Sequence, residues 1–249
     1  MSSRAGALVI GANLRGLGIA RSLGRRGVDS WVLHEPGDDP VARASRYVTR
    51  TLPAPTGSAQ QQRAGLLEIA DRHRLVSWTL FPTSDESVAA LARQRDELDG
   101  RFAFTSPGWS AVGQAYHKRL TYELARRIGV AHPWTSYPRG PTELAELACG
   151  FPVILKPDAK PDENRFTRAK AWRVDDRASL LSAWEEAARL VGAEAVMVQE
   201  LIPGAGENQY SFAALCDDGA VVASLTARRL RQYPRDFGHS SSRVETVAD

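Results

Sequence analysis

The stretch Val196-Met197-Val198-Gln199-Glu200-Leu201-Ile202-Pro203-Gly204 decides how the rest of the chain is read. A short run of strand character ends in an acid, an apolar pair follows, and a Pro-Gly turn leads to a second acid, Glu207. A strand of this kind delivers a carboxylate to its own exit, where it can accept from the amino and hydroxyl groups of a nucleotide. Two lysines upstream, Lys118 and Lys156, are suited to phosphate oxygens.

Around this stretch the second half of the chain reads as a mixed, antiparallel-leaning α+β unit. Residues 151–156 form an apolar strand that ends on Lys156, and residues 178–190 an amphipathic helix. Residues 210–215 and 220–226 flank Asp217-Asp218-Gly219, a hairpin turn signal. A single helix is expected over 111–128, with Leu120, Leu124 and Ile128 on one face and Gly129 and Pro133 as its stop.

The first hundred residues have another rhythm. Strands are expected at 7–10, 30–34, 75–81 and 102–104, and helices at 17–23, 65–74 and 84–98, the last capped by Ser84. Alternation of this kind implies a parallel, doubly wound sheet. Ser106-Pro107-Gly108 marks the break, giving domains at 1–110 and 111–249.

Gly11-Ala12-Asn13-Leu14-Arg15-Gly16-Leu17-Gly18 invites an NAD(P) reading, but its glycine order is not the G-x-G-x-x-G that brings backbone against a pyrophosphate. It is expected to be a tight strand-to-helix turn, facing a substrate carboxylate at the helix N-terminus. Residues 81–86 form a similar turn, with a plain helix cap as the competing reading.

Composition narrows the classes. Over 249 residues the net charge is only +3, and the arginine pairs Arg25-Arg26 and Arg126-Arg127 are too far apart to make a nucleic-acid groove. The two cysteines, Cys149 and Cys216, have neither metal nor disulfide spacing and are expected to be buried. No window is apolar enough to span a membrane. The start Met1-Ser2-Ser3-Arg4 lacks a signal-peptide core, so a cytoplasmic location is expected.

Three motifs in order carry a family resemblance: His117-Lys118-Arg119-Leu120-Thr121, Phe151-Pro152-Val153-Ile154-Leu155-Lys156-Pro157, and Val198-Gln199-Glu200-Leu201-Ile202-Pro203-Gly204 with Glu207. On these the chain resembles the ATP-grasp superfamily, which joins an N-terminal Rossmann-like domain to an α+β ATP-binding domain. The tail, 227–238 through 244–246, is similar to a subgroup of carboxylate–amine ligases related to carbamoyl-phosphate synthase and D-aspartate ligase.

The resemblance implies roles residue by residue. Lys118 and Lys156 would contact the ATP phosphates, Glu200 and the Ile202 backbone the adenine, and Glu207 the ribose. Arg228 would act near phosphate or acyl phosphate as the catalytic residue, and His239 lies in a stretch that approaches the nucleotide in some relatives. ATP and Mg²⁺ are the implied cofactors, with a small-molecule carboxylate and an amine as substrates; a homo-oligomer is an open expectation.

Two departures qualify the resemblance. The segment 158–173 lacks a glycine-rich flap, so Asn164, Arg165, Arg168 and Lys170 are expected to cover the phosphates by charge. No acid-x-asparagine pair for Mg²⁺ follows Val244, so the α+β domain is expected to be incomplete, its metal-binding strands beyond Asp249. A non-catalytic nucleotide-binding module is the second reading, and an NAD(P)-binding protein the third.

Overall fold

The computed structural model describes residues 5–37, 39–159, 164–204, 208–233, 237 and 240–248. The chain divides into two compact units, Met1–Thr121 and Tyr122–Asp249.

The first unit is built on five parallel strands: β1 (Ala7–Ile10), β2 (Ser30–His34), β3 (Arg50–Pro53), β4 (Trp78–Pro82) and β5 (Phe102–Phe104). Their order is β3-β2-β1-β4-β5, so the chain moves outward from β1 on one side and then restarts at β4 on the other. The helices are α1 (Leu14–Gly24), α2 (Ala59–His73), α3 (Asp85–Arg93), α4 (Arg95–Leu98) and α5 (Trp109–Tyr116). Strand side chains alternate between two cores, as a period of two requires. Leu8, Ile10, Leu33 and Leu80 pack with Leu66 of α2 and Leu91 of α3. Val9 and Val32 pack with Ala42 and with Leu17 and Ile19 of α1.

The details depart from the periodicity. Strand β3 is unannounced in the sequence because its residues are only half-buried or exposed. Strand β4 starts at Trp78 rather than residue 75, because Arg74 and Ser77 sit in the left-handed region and the chain must first leave α2. The helix expected over 84–98 is interrupted at Gln94 (φ −104°, ψ 10°), although its cap is as expected: the Ser84 side chain accepts from Ser87 N.

In the same way the helix expected over 111–128 is two helices, α5 and α6 (Lys118–Arg127). His117 has extended backbone between them, its ring packed edge-on to Trp109 and Tyr116.

The remaining elements of the second unit are β6 (Thr135–Ser136), α7 (Pro141–Ala145), β7 (Val153–Pro157), α8 (Arg165–Ala169), β8 (Trp172–Val174), α9 (Arg177–Val191), β9 (Val196–Glu200), β10 (Tyr210–Asp217), β11 (Ala220–Tyr233) and β12 (Ser240–Val247). They give an antiparallel four-stranded sheet, β6-β9-β7-β8, and an antiparallel three-stranded sheet, β10-β11-β12. Asp218 and Gly219 both have positive φ, the backbone of the hairpin turn that the Asp-Gly pair favours.

One face of the four-stranded sheet is a closed core. Val153, Leu155, Val196 and Val198 meet Leu180, Trp184 and Ala187 of α9 and Phe166 of α8. Each such aliphatic side chain contributes about 1.5–3 kcal/mol by leaving water. Asp176 caps α9 by accepting from Ser179 N, which holds its carboxyl below the usual range.

The three-stranded sheet is different: every residue of β10 is exposed, including Tyr210, Phe212 and Leu215. The expectation of two buried cysteines fails here. Cys216 lies on β10 and is exposed, while Cys149 is half-buried against the α9 core.

Candidate functional site

The second face of the four-stranded sheet follows from the pairing of β7 with β9. Lys156 stands opposite Met197, and Ile154 opposite Gln199, so these four side chains share the face turned away from α9. Thr135 stands opposite Gln199 on the other side of β9 and joins them.

Gln199 ties this face together. Its Oε1 lies 3.4 Å from Lys156 Nζ, and its Nε2 donates to Thr135 Oγ1 at 2.9 Å. The side chain is 3% exposed, so a partner at each end of the amide removes the cost of burying it. The effect is to hold a half-buried ammonium at the edge of an apolar sheet face. Sequence reasoning treated Gln199 as one more strand residue; the signal was a lone amide closing an apolar run.

Glu200 leaves the strand as expected and is exposed, but its carboxylate already has a partner. Oε1 accepts from Trp134 N at 2.8 Å, and Glu200 N donates to Trp134 O at 3.0 Å. Leu201 N reaches Pro152 O at 3.4 Å, fixing the exit, and Ile202 beyond it is 58% exposed. Glu207 and His239 lie outside the described residues.

Lys118 opens α6 and falls in the first unit, which ends within that helix at Thr121, whereas Lys156 belongs to the second. Arg228 stands on β11 between Tyr210 and Glu245, its Nη1 3.7 Å from Glu245 Oε1. Two of the residues expected to cover phosphates have partners within the second unit. Asn164 caps α8, accepting from Phe166 N and Thr167 N, and Arg165 pairs with Glu186 of α9 at 2.6 Å. Lys170 closes α8 with φ 64°, and Arg168 is exposed.

In the first unit the turns after β1 and β4 are locked to each other. Thr83 Oγ1 donates to Ile10 O at 2.7 Å and accepts from Asn13 Nδ2 at 3.0 Å, while Arg15 Nη1 donates to Thr83 O. Gly11 has φ +112°, and a Cβ there would collide with Thr83 Oγ1.

Asn13 Oδ1 accepts from Arg15 N and Gly16 N, so the first amides of α1 are already capped. That is the geometry of a closed turn. Among the described residues no group of three or more His, Cys, Asp and Glu side chains could hold a metal ion. Among the same residues no helix is long and apolar enough to cross a membrane.

No protein-family model matches the chain, and no curated protein matches it. Solved structures do. The L-amino acid ligase of Bacillus licheniformis superposes with a TM-score of 0.64 at 16% identity, covering 95% of this chain and 53% of the ligase. The N5-carboxyaminoimidazole ribonucleotide synthetase of Thermus thermophilus gives 0.61 at 18% identity, covering 89% and 54%. The corresponding Aspergillus clavatus synthase, complexed with ATP, gives 0.63 at 15% identity, covering 92% and 55%. The chain therefore shares its fold with these structures and spans about half their length.

Proposed function

We propose that the chain binds ATP over the Lys156 face of the four-stranded sheet, as part of a ligase that joins a carboxylate to an amine. The observation that carries this is the Lys156–Gln199–Thr135 chain on the sheet face opposite α9. An ammonium held at the rim of the sheet suits the oxygens of a nucleotide's phosphates, which seek charge. The ligase names of its structural neighbours point to the same reading.

Lys156 would meet phosphate oxygens, with Gln199 as the positioning residue that holds its ammonium. The extended segment from Leu201 to Ile202 would lie along the adenine, and Lys118, Glu200, Glu207 and His239 would complete the nucleotide contacts. Mg²⁺ would enter with the phosphates. In the proposed reaction a carboxylate oxygen attacks the γ-phosphorus and ADP leaves. The amine nitrogen then attacks the acyl carbon, the C–O bond to phosphate breaks, and the nitrogen gives up a proton. Arg228 would balance charge on the acyl phosphate.

The test is a comparison of ATP binding by the chain and by Lys156→Ala, with ADP release in the presence of amino acids as the catalytic readout. Binding that is independent of Lys156 would sink the assignment of this face.

A further inference from the structure

In the first unit, α1 faces the short 3-10 helix Val41–Ala44 and residues 45–47 across an open groove of about 420 Å³. Leu17 and Arg21 of α1, with Arg25 at its end, line one wall; Val41, Arg46 and Tyr47 line the other. Spaced four apart, the three residues of the first wall share one face of the helix. Three guanidiniums thus border the groove, and its described lining holds no carboxylate. Among the described residues none of these arginines is ion-paired with an acid.

The charges are gathered rather than scattered. Arg46 Nη2 donates to the Tyr47 hydroxyl at 2.9 Å, and its guanidinium carbon lies 4.9 Å from the ring centre. Hydrogen bonding from Arg46, helped by the Arg46 charge and by Arg25, holds the Tyr47 phenol below its usual range. Arg25 and Arg46 therefore approach one oxygen from opposite walls. Tyr47 itself is fixed: a Cβ on Gly24 would come within 2.5 Å of it, and its N–H donates to Ser45 Oγ.

A helix C-terminus favours a cation, which accounts for Arg21 or Arg25. It does not account for Arg46, brought to the same hydroxyl from the other wall. Like charges so placed repel, and at i and i+4 they weaken a helix. An anion between them would relieve that repulsion. The Tyr47 O–H, with no acceptor among the described residues, is left to donate to it.

Three cations and a hydroxyl donor exceed what one carboxylate needs. A phosphate monoester carries close to two charges near neutral pH and three terminal oxygens, which guanidiniums meet in pairs. We propose that this groove binds a small phosphate monoester with an apolar body. The dianion would lie among Arg21, Arg25 and Arg46, and the body against Leu17 and Val41. The site is built wholly from the first unit and stands or falls independently of ATP binding in the second.

The experiment is a titration of the full chain with phenyl phosphate at about pH 7.5, where it is a dianion, followed by backbone amide chemical shifts. Saturable shifts are expected along residues 17–25 and 44–47. Benzoate, a monoanion with the same ring, should bind at least about tenfold more weakly. Dimethyl phosphate, a monoanionic diester like those of nucleic-acid and lipid backbones, should do the same.

Arg25→Gln and Arg46→Gln should each weaken phenyl phosphate binding about tenfold, through loss of a charge-assisted pair. Tyr47→Phe keeps the ring on Gly24 and should weaken it about threefold. Arg26→Gln, outside the groove lining, and Lys156→Ala should leave the affinity unchanged. Arg46 is exposed, so Arg46→Gln decides should Arg25→Gln fail to fold. The proposal is overturned by an absence of saturable shifts, by benzoate or dimethyl phosphate binding as tightly as phenyl phosphate, or by unchanged affinity in Arg46→Gln. Equal weakening by Arg26→Gln or Lys156→Ala would also overturn it, as the mark of a diffuse basic surface.

Discussion

Lys156 Nζ lies 3.4 Å from Oε1 of Gln199, and Gln199 is held in turn by Thr135. A cation at a sheet rim would ordinarily sweep through several rotamers. Here a buried amide, fixed at both ends, gives it a resting place on the face turned away from α9. The ammonium is positioned before any ligand arrives, which lowers the ordering cost of binding.

Breaking this relationship from either side should have separable effects. Thr135→Val leaves Gln199 Nε2 unpaired in the core and should cost about 1–3 kcal/mol of stability in chemical denaturation. Gln199→Glu sets a carboxylate beside Lys156 and should weaken ATP binding about tenfold, since the new charge repels phosphate. Stability lost in the first variant and affinity lost in the second, each by equilibrium titration, would fit the assignment. Unaltered ATP binding in Gln199→Glu would count against it.

Gly11 should be irreplaceable. Its φ of +112° and the collision of a would-be Cβ with Thr83 Oγ1 predict that Gly11→Ala destabilises the first unit by at least about 2 kcal/mol. Adding Thr83→Ala removes the collision but not the backbone strain, so only part should return in thermal melts of the double variant.

His73 gives the first unit a dependence on pH. Burial lowers its pKa, and the charges of Arg50 and Arg72 lower it further. The unfolded chain therefore binds a proton that the folded chain refuses, between the usual 6.5 and the depressed value. Its stabilising contribution is complete above the unfolded pKa and is lost as pH falls through the folded one. The thermal midpoint should drop as pH falls through and below the usual 6.5. His73→Gln should flatten that slope; an identical slope in the variant would remove His73 from the account.

Cysteine labelling should separate the two thiols. Cys216, exposed on β10, should react quickly with a maleimide, and Cys149, half-buried beside Arg177, should react more slowly. Peptide mapping after a short exposure reads the order directly, and faster labelling of Cys149 would contradict the placement of β10.

The parallel sheet and the α9-backed sheet were legible because burial writes periodicity into sequence. Val153 to Leu155 and Val196 to Val198 are continuous apolar runs, and Asp218-Gly219 marks its own hairpin. Strands β3, β6, β8 and β12 were not legible, since half-exposed or very short strands carry no such pattern. The helix breaks at Gln94 and His117 were hidden for another reason: neither residue is a Gly or a Pro, and tertiary packing sets their backbone.

At the candidate site the order of the motifs pointed to Lys156 and Glu200. Gln199 and Thr135 could not be found that way, because their role comes from cross-strand register rather than from spacing along the chain. The same limit applies to Arg165, whose pairing with Glu186 on α9 is not written in the spacing of the chain.

The most direct test is calorimetric titration of ATP into the chain and into Lys156→Ala, each with and without Mg²⁺. The account predicts saturable binding by the unaltered chain and affinity at least about tenfold weaker in the variant, since a charge-assisted contact to phosphate is lost. No detectable heat with ATP, or the same affinity in both proteins, would contradict it.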